Sequence, residues 1–258
     1  MAANFPTSDP SFTKKDYVNR ETPLVADYNK ALEEIESIGT WLRGDTVPKS
    51  TTANLTFYVN PSTGNDNNNG SSGSPFKTIA KAISLIPQIV NHAVEINLAD
   101  GNYSEGITLS GYVGIGSIVV TGNTSTPANV ELASGIKVTN CSCSIIIQGM
   151  ETTITSTNAV QADNSTKVIL YYIVAEGTTG TYVGISAIHA LVYARYCTVS
   201  NKFYGIYANI CSVVHSRDNG GTGNGTGLYA FGGATIGKHN TQPGGITAEV
   251  VLGGGEIR

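Results

Sequence analysis

Five segments of this sequence open alike and return at a near-constant interval. They are Gly135-Ile-Lys-Val138, Ala159-Val-Gln-Ala162, Gly184-Ile-Ser-Ala187, Gly205-Ile-Tyr-Ala208 and Gly227-Leu-Tyr-Ala230, with start-to-start separations of 24, 25, 21 and 22 residues. One unit of this length cannot bury a core by itself, but stacked copies can, so the period points to a solenoid. Side chains alternate along a strand, which turns the second and fourth residues of each opening inward and the third (Lys137, Gln161, Ser186, Tyr207, Tyr229) outward. A second apolar run follows in each unit, as in Ile145-Ile-Ile147, Val168-Ile-Leu170, Ala190-Leu-Val192 and Ser212-Val-Val214. The expected fold is all-β, a right-handed parallel β-helix. Counted from Leu55 it has about eight coils, a rod roughly 40 Å long at the ~4.8 Å strand spacing. A glycine-rich sandwich is the competing architecture, and the fixed period argues against it.

Charge divides the chain. Only 13% of residues are charged, against roughly 25% in an ordinary soluble domain. Residues 1–50 hold 6 basic and 8 acidic side chains, 14 of the chain's 34, and the other 208 residues hold 20. This separates an attachment arm, 1–50, from a β-helical body, 51–258. In the arm, Thr22-Pro23 offers a helix cap and a first-turn proline. Leu24, Tyr28, Ala31, Ile35, Ile38 and Leu42 follow at spacings of 4, 3, 4, 3 and 4, the stripe of a heptad repeat. An α-helical arm that self-associates through these residues is expected. A single amphipathic helix docked on the body is the alternative.

The body opens with a short strand, Phe57-Tyr-Val-Asn60, and a polar loop running to Ser74. Ser74 and Pro75 then predict the start of a helix whose Phe76, Ile79, Ile83 and Ile86 share a face, stopped by Pro87. The runs Phe57-Tyr-Val-Asn-Pro-Ser-Thr-Gly-Asn-Asp66, Ser74-Pro-Phe-Lys-Thr-Ile79 and Gly101-Asn-Tyr-Ser-Glu-Gly-Ile107 resemble the N-terminal cap and first coil of the pectin-lyase-like β-helix superfamily. The resemblance implies that the helix plugs the open end of the solenoid, where an unpaired edge would otherwise expose core. Asp66-Asn-Asn-Asn-Gly70 hints at a calcium loop, but the twelfth position from Asp66 is Lys77 rather than a bidentate Glu.

Residues with chemistry are sparse. A net charge of −4 and the absence of a long apolar run predict neither nucleic-acid binding nor membrane insertion. Cys141, Cys143, Cys197 and Cys211 are expected as buried thiols, no zinc spacing is present, and no metal or cofactor is expected. Paired carboxylates for glycoside hydrolysis would have to match between coils. Only Glu151 and Glu176 come near register, and they read as turn residues, so no catalytic residue is assigned. His92, His189 and His215 each read as isolated. Tyr207 and Tyr229 fall in one outward column one coil apart, where their rings could stack on a sugar or pack between subunits. Arg195, Tyr196, Arg217 and His239 fall near a common offset as a basic-aromatic line.

The arm words Asn4-Phe-Pro-Thr-Ser8, Glu21-Thr-Pro-Leu-Val-Ala-Asp-Tyr-Asn-Lys30 and Glu33-Glu-Ile-Glu36 resemble the N-terminal attachment regions of tail and baseplate proteins of phages that infect Gram-positive bacteria. That resemblance implies a virion protein. Consecutive aliphatics such as Ile145-Ile146-Ile147 put one group outside, which favours a homotrimer. The start of the chain lacks a secretory leader, so synthesis in the host cytoplasm is expected. The functional expectation is a structural tail or baseplate appendage, or fibre. The arm would hold other virion proteins, and the body would meet a host surface polysaccharide. The alternative is a small tailspike depolymerase, a glycoside hydrolase or lyase.

Overall fold

A computed structural model describes residues 49–177, 180 and 182–258. The heptad positions Leu24, Tyr28, Ala31, Ile35, Ile38 and Leu42 lie outside the described residues. Residues Ser50–Arg258 form one compact unit. Its elements in chain order are β1 (Leu55–Val59), α1 (Ile79–Ser84), β2 (Ala93–Leu98), β3 (Gly101–Tyr103), β4 (Ile107–Ser110), β5 (Ser117–Thr121), β6 (Val130–Leu132), β7 (Ile136–Thr139), β8 (Ser144–Thr152), β9 (Val160–Asp163), β10 (Val168–Ala175), β11 (Ile185–Ile188), β12 (Leu191–Arg195), β13 (Thr198–Val199), β14 (Tyr204–Asn209), β15 (Val213–Arg217), β16 (Asn224–Ala230), β17 (Thr235–His239), β18 (Gly245–Val251) and β19 (Glu256–Ile257).

The strands pair in parallel and form three sides. Side A runs β1-β2-β5-β8-β10-β12-β15-β17-β19, and side C runs β4-β7-β9-β11-β14-β16-β18. Side B is shorter, built from β3, β6, the later halves of β8 and β10, and β13. The fold is thus a parallel β-solenoid. Seven strands stack on side C, which gives about seven turns rather than eight. The difference lies at the start: after β1 the chain enters the polar loop and α1 instead of closing a first coil.

The alternation read from the repeat holds. Ile136, Val138, Val160, Ala162, Ile185, Ala187, Ile206, Ala208, Leu228 and Ala230 are all buried, and Gly-Ile-x-Ala openings align rung by rung along side C. Ser186 departs from the pattern. It falls on the outward alternation between Gln161 and Tyr207, yet is only 1% exposed, a small residue between two large register neighbours. Ile146 stands between Val119 and Ile169 on the outward side of A, half-buried rather than bare. Three of the cysteines are buried thiols, but Cys211 is exposed, because it lies past the end of β14 at a corner with φ of 55°.

The capping helix is present but begins later than Ser74-Pro75 suggests. Phe76 N–H donates to Tyr58 O and Asn60 N–H to Phe76 O, so residues around Pro75 are held extended against β1 and cannot start a helix. Thr78 is the N-cap instead, its hydroxyl accepting from Lys81 N at 3.1 Å. Asp66 secures that cap: Oδ1 accepts from the Lys77 and Thr78 amides, both at 2.9 Å, and Oδ2 from the Thr78 hydroxyl at 2.8 Å. The Asn-rich loop therefore works as a clasp for α1. Ile79, Ala82, Phe76 and Ile86 from this segment are buried at the N-terminal end of the core.

Candidate functional site

The two groups of residues singled out from the sequence lie on different sides of the solenoid. On side C, Tyr207 of β14 is the register partner of Tyr229 of β16, as the repeat implied. Their centroids are 5.5 Å apart, but the planes are tilted by 45°. Tyr204 joins them, stacked on Tyr207 at 5.4 Å and tilted against Tyr229 at 4.4 Å, and Phe203 packs on Tyr204 at 4.5 Å. Burial, reinforced by the neighbouring phenols, raises the pKa of Tyr204 and Tyr207. This is a self-packed aromatic cluster whose rings occupy one another's faces, with only Phe203 well exposed.

Side A carries a more open arrangement. Tyr171, Arg195, Arg217 and His239 occupy one outward register position on β10, β12, β15 and β17, four successive rungs. Two residues earlier on the same strands, Ile169, Tyr193, His215 and Gly237 form a second column. Tyr193 and His215 stack at 4.7 Å with planes 12° apart. Past the first column the chain turns through single positive-φ residues, Tyr172, Tyr196, Asp218 and Asn240. Tyr172 and Tyr196 stack at 5.2 Å and 13°, and both are exposed, Tyr196 by 46%. Two flat aromatic pairs thus flank a column of two guanidiniums and an imidazole.

The expected basic-aromatic line is therefore two columns. Arg217 and His239 do align, Arg195 joins them, and Tyr196 belongs to the turn column beside them. Tyr171, Tyr172 and Tyr193 are site residues that the repeat openings do not single out. The signal was present: each member of the Tyr171 column stands three residues after a buried aliphatic residue of side A (Val168, Val192, Val214, Ile236). Counting from the first opening hides this, because coil length varies between the two runs. His215, read as isolated, is one half of a stacked pair.

Carboxylates gather on side B. Glu131 and Glu151 are register partners on adjacent rungs, whereas Glu151 faces Val174, not Glu176, on the next. Burial raises the pKa of Glu151, with Glu131 and Glu176 adding to it. Glu131 accepts from the Thr153 hydroxyl at 3.2 Å. Lys202, 2% exposed, donates to Ile154 O at 2.8 Å, and burial lowers its pKa against the opposing pull of Glu176. Among the described residues no group of three His, Cys, Asp or Glu side chains is placed to hold a metal ion. No described helix is long and apolar enough to cross a membrane.

No curated protein matches the sequence. Among solved structures, the chain is similar to two of GH136 lacto-N-biosidase from Eubacterium ramulus. The selenomethionine derivative has a TM-score of 0.36 at 8% identity, and the native protein 0.30 at 9%. Each alignment covers 90% of this chain and 70% of the other. Residues 62–191, half of the chain, match the family described as Protein of unknown function (DUF1565), and by that match this β-helical protein belongs to the DUF1565 family.

Proposed function

We propose that this chain is a glycan-binding β-solenoid carried on a virus particle, a trimeric tail or baseplate appendage, or fibre, that meets a host surface polysaccharide. The observation that carries the binding reading is the outward face of side A, where exposed Tyr172 and Tyr196 stack beside the Tyr171, Arg195, Arg217 and His239 column. Aromatic rings take the apolar faces of pyranoses and phenols hydrogen-bond their hydroxyls. A rigid ladder of such groups suits an extended polymer, because successive subsites are fixed one rung apart before the ligand arrives. The virion reading rests on the arm words within residues 1–50, and the trimer on the heptad stripe together with the outward Val119, Ile146 and Ile169 stripe.

The test is a screen of the full chain on immobilised bacterial surface glycans, with Tyr172→Ala/Tyr196→Ala as the control. Binding that falls about tenfold in the double variant supports the reading, and a chain that retains no glycan sinks it. Solution mass by light scattering checks the assembly: a trimer is expected for the full chain, weakened when residues 1–45 are removed.

A depolymerase reading is favoured by one observation, the register pairing of Glu131 and Glu151 with the raised pKa of Glu151. Two carboxylates one rung apart, one of them held protonated more readily, have the character of an acid and nucleophile pair. Release of reducing ends from a bound glycan, abolished by Glu151→Gln, would support it. Unchanged polymer length after prolonged incubation would leave binding alone.

A further inference from the structure

The charges on side A say more about the ligand than the rings do. The body, residues 51–258, contains three arginines, and two of them, Arg195 and Arg217, stand in register on adjacent rungs. Like charges directly opposite each other on neighbouring strands are unfavourable. Among the described residues Arg195 has no acidic partner; Arg217 shares its Nε–H with Asp218 Oδ2 at 3.2 Å. Asp218 is itself occupied, because its Oδ1 accepts from Asn240 Nδ2 at 2.6 Å. The Asp218 and Asn240 pair thus orients Arg217 from the side and leaves its terminal nitrogens available, since a guanidinium has five N–H donors and the ion pair uses one. His239 extends the column by one more rung, and Tyr171 closes its other end with a phenol.

Resting on the glycan reading above, we infer that this column takes an extended anionic glycan whose carboxylate, phosphate or sulfate groups recur along the polymer at about the spacing of one coil. Rungs of a parallel sheet are about 4.8 Å apart, close to the advance of one pyranose residue along an extended chain. A polymer lying along the solenoid axis then presents one anion to each of Arg195, Arg217 and His239 while its hydroxyls meet the ring edges and phenol oxygens that the Tyr172/Tyr196 and Tyr193/His215 stacks leave free. Guanidinium binds such groups through charge-assisted, forked hydrogen bonds. The body as a whole has 9 basic and 11 acidic residues, so the attraction is local to this face and not a property of the whole surface.

The experiment is calorimetric titration of the full chain with alginate, which bears a carboxylate on every residue. Parallel titrations use hyaluronan, with a carboxylate on alternate residues, carboxyl-reduced alginate, and inorganic polyphosphate, each at low and at physiological salt. Alginate is expected to bind more tightly than hyaluronan and far more tightly than its neutral form, with affinity falling as salt rises. Arg195→Gln/Arg217→Gln should lower alginate affinity about tenfold and flatten the salt dependence. Arg195→Lys/Arg217→Lys should keep the salt dependence and lose part of the affinity. If neutral and charged alginate bind equally and without salt dependence, the inference is overturned while the glycan reading stands. If polyphosphate binds as tightly as alginate and Tyr172→Ala/Tyr196→Ala changes neither, the anion column stands and the glycan reading falls. Binding to none of the four polymers overturns the inference, and retention on the surface-glycan screen then decides the glycan reading separately.

Discussion

Two asparagines fixed inside the corners of the solenoid show how much depends on single polar side chains here. Asn219 Oδ1 accepts from Cys197 N at 2.8 Å while its Nδ2 donates to Ala194 O at 2.9 Å and Ser216 Oγ at 2.8 Å. Asn224 does the same for Lys202 N at 3.0 Å, Val199 O at 2.9 Å and Gly244 O at 2.7 Å. Both are fully buried. Asn219→Leu keeps the branched shape but strands a buried amide and carbonyl, so a loss of about 3 kcal/mol in unfolding free energy is expected. An unchanged denaturant midpoint would refute that account. Asp66 makes a second case, tied to pH. Burial pulls its pKa up, but the hydrogen bonds from Thr78 and Lys77, with help from Lys81, leave it below the usual value. A depressed carboxyl stabilises the fold above its unfolded pKa, and that stability is lost as pH falls through the folded pKa. The stability gap between the native chain and Asp66→Asn should therefore be about 1 kcal/mol at neutral pH. It should close progressively below about pH 4. A gap independent of pH would show that the charge is irrelevant. None of these roles was legible in the sequence, which is rich in Asn and Asp throughout its turns. Which of them points inward is decided by the corner geometry of the neighbouring coil, not by the residue's own surroundings in the chain.

At the scale of elements, α1 illustrates what a pattern reveals and what it conceals. The apolar face of Phe76, Ile79, Ile83 and Ile86 was readable, and so was the need for a plug. The starting point was not, because Ser74-Pro75 is a sound helix opening taken alone, and the competing hydrogen bonds of Phe76 with β1 come from residues far from any helix signal. Six residues cannot sustain a helix in water, so α1 depends on what holds its first turn. Besides Thr78, that is Glu105, which follows β3 and accepts from Ile79 N at 2.6 Å and Ala80 N at 3.1 Å. Glu105→Ala and Thr78→Ala should each cost about 1 kcal/mol, with faster hydrogen exchange in α1 before the rest of the solenoid opens. Ser74→Ala should change stability by less than about 0.5 kcal/mol. Equal losses in all three would return the cap to Ser74. The columns on side A follow the same lesson. The repeat openings fixed register on side C, but coil lengths differ between there and side A, so offsets counted from one side misplace the other by a residue. That single slip puts Tyr196, rather than Arg195, at the offset shared by Arg217 and His239.

For the solenoid as a whole, the coil next to α1 and the last described coils differ in what fills their inward positions. The N-terminal end is covered by α1. At the last described coils the inward positions themselves change character along the stack. Ala194 is followed in register by Ser216 and then Lys238, and Ile206 by Leu228 and then Glu249. Lys238 and Glu249 pair with each other, both side chains more than one-third exposed. An ion pair in that setting contributes little stability. Its effect is on association: covering it with a further coil would desolvate both charges at a cost of several kcal/mol. Inward-pointing charge is one of the ways parallel edges are kept from pairing with other chains. Lys238→Val/Glu249→Val should therefore leave the melting temperature of the full chain nearly unchanged while exposing an apolar strand edge next to Val251 and Leu252, which are already exposed. Sedimentation velocity across a concentration series should then show species of twice the native mass or larger in the variant. Charge reversal on one residue alone, Glu249→Lys, should keep the native mass, since two like charges would be no easier to bury. A double variant with the same mass as the native chain at every concentration would mean that strand geometry, not charge, keeps this edge from pairing.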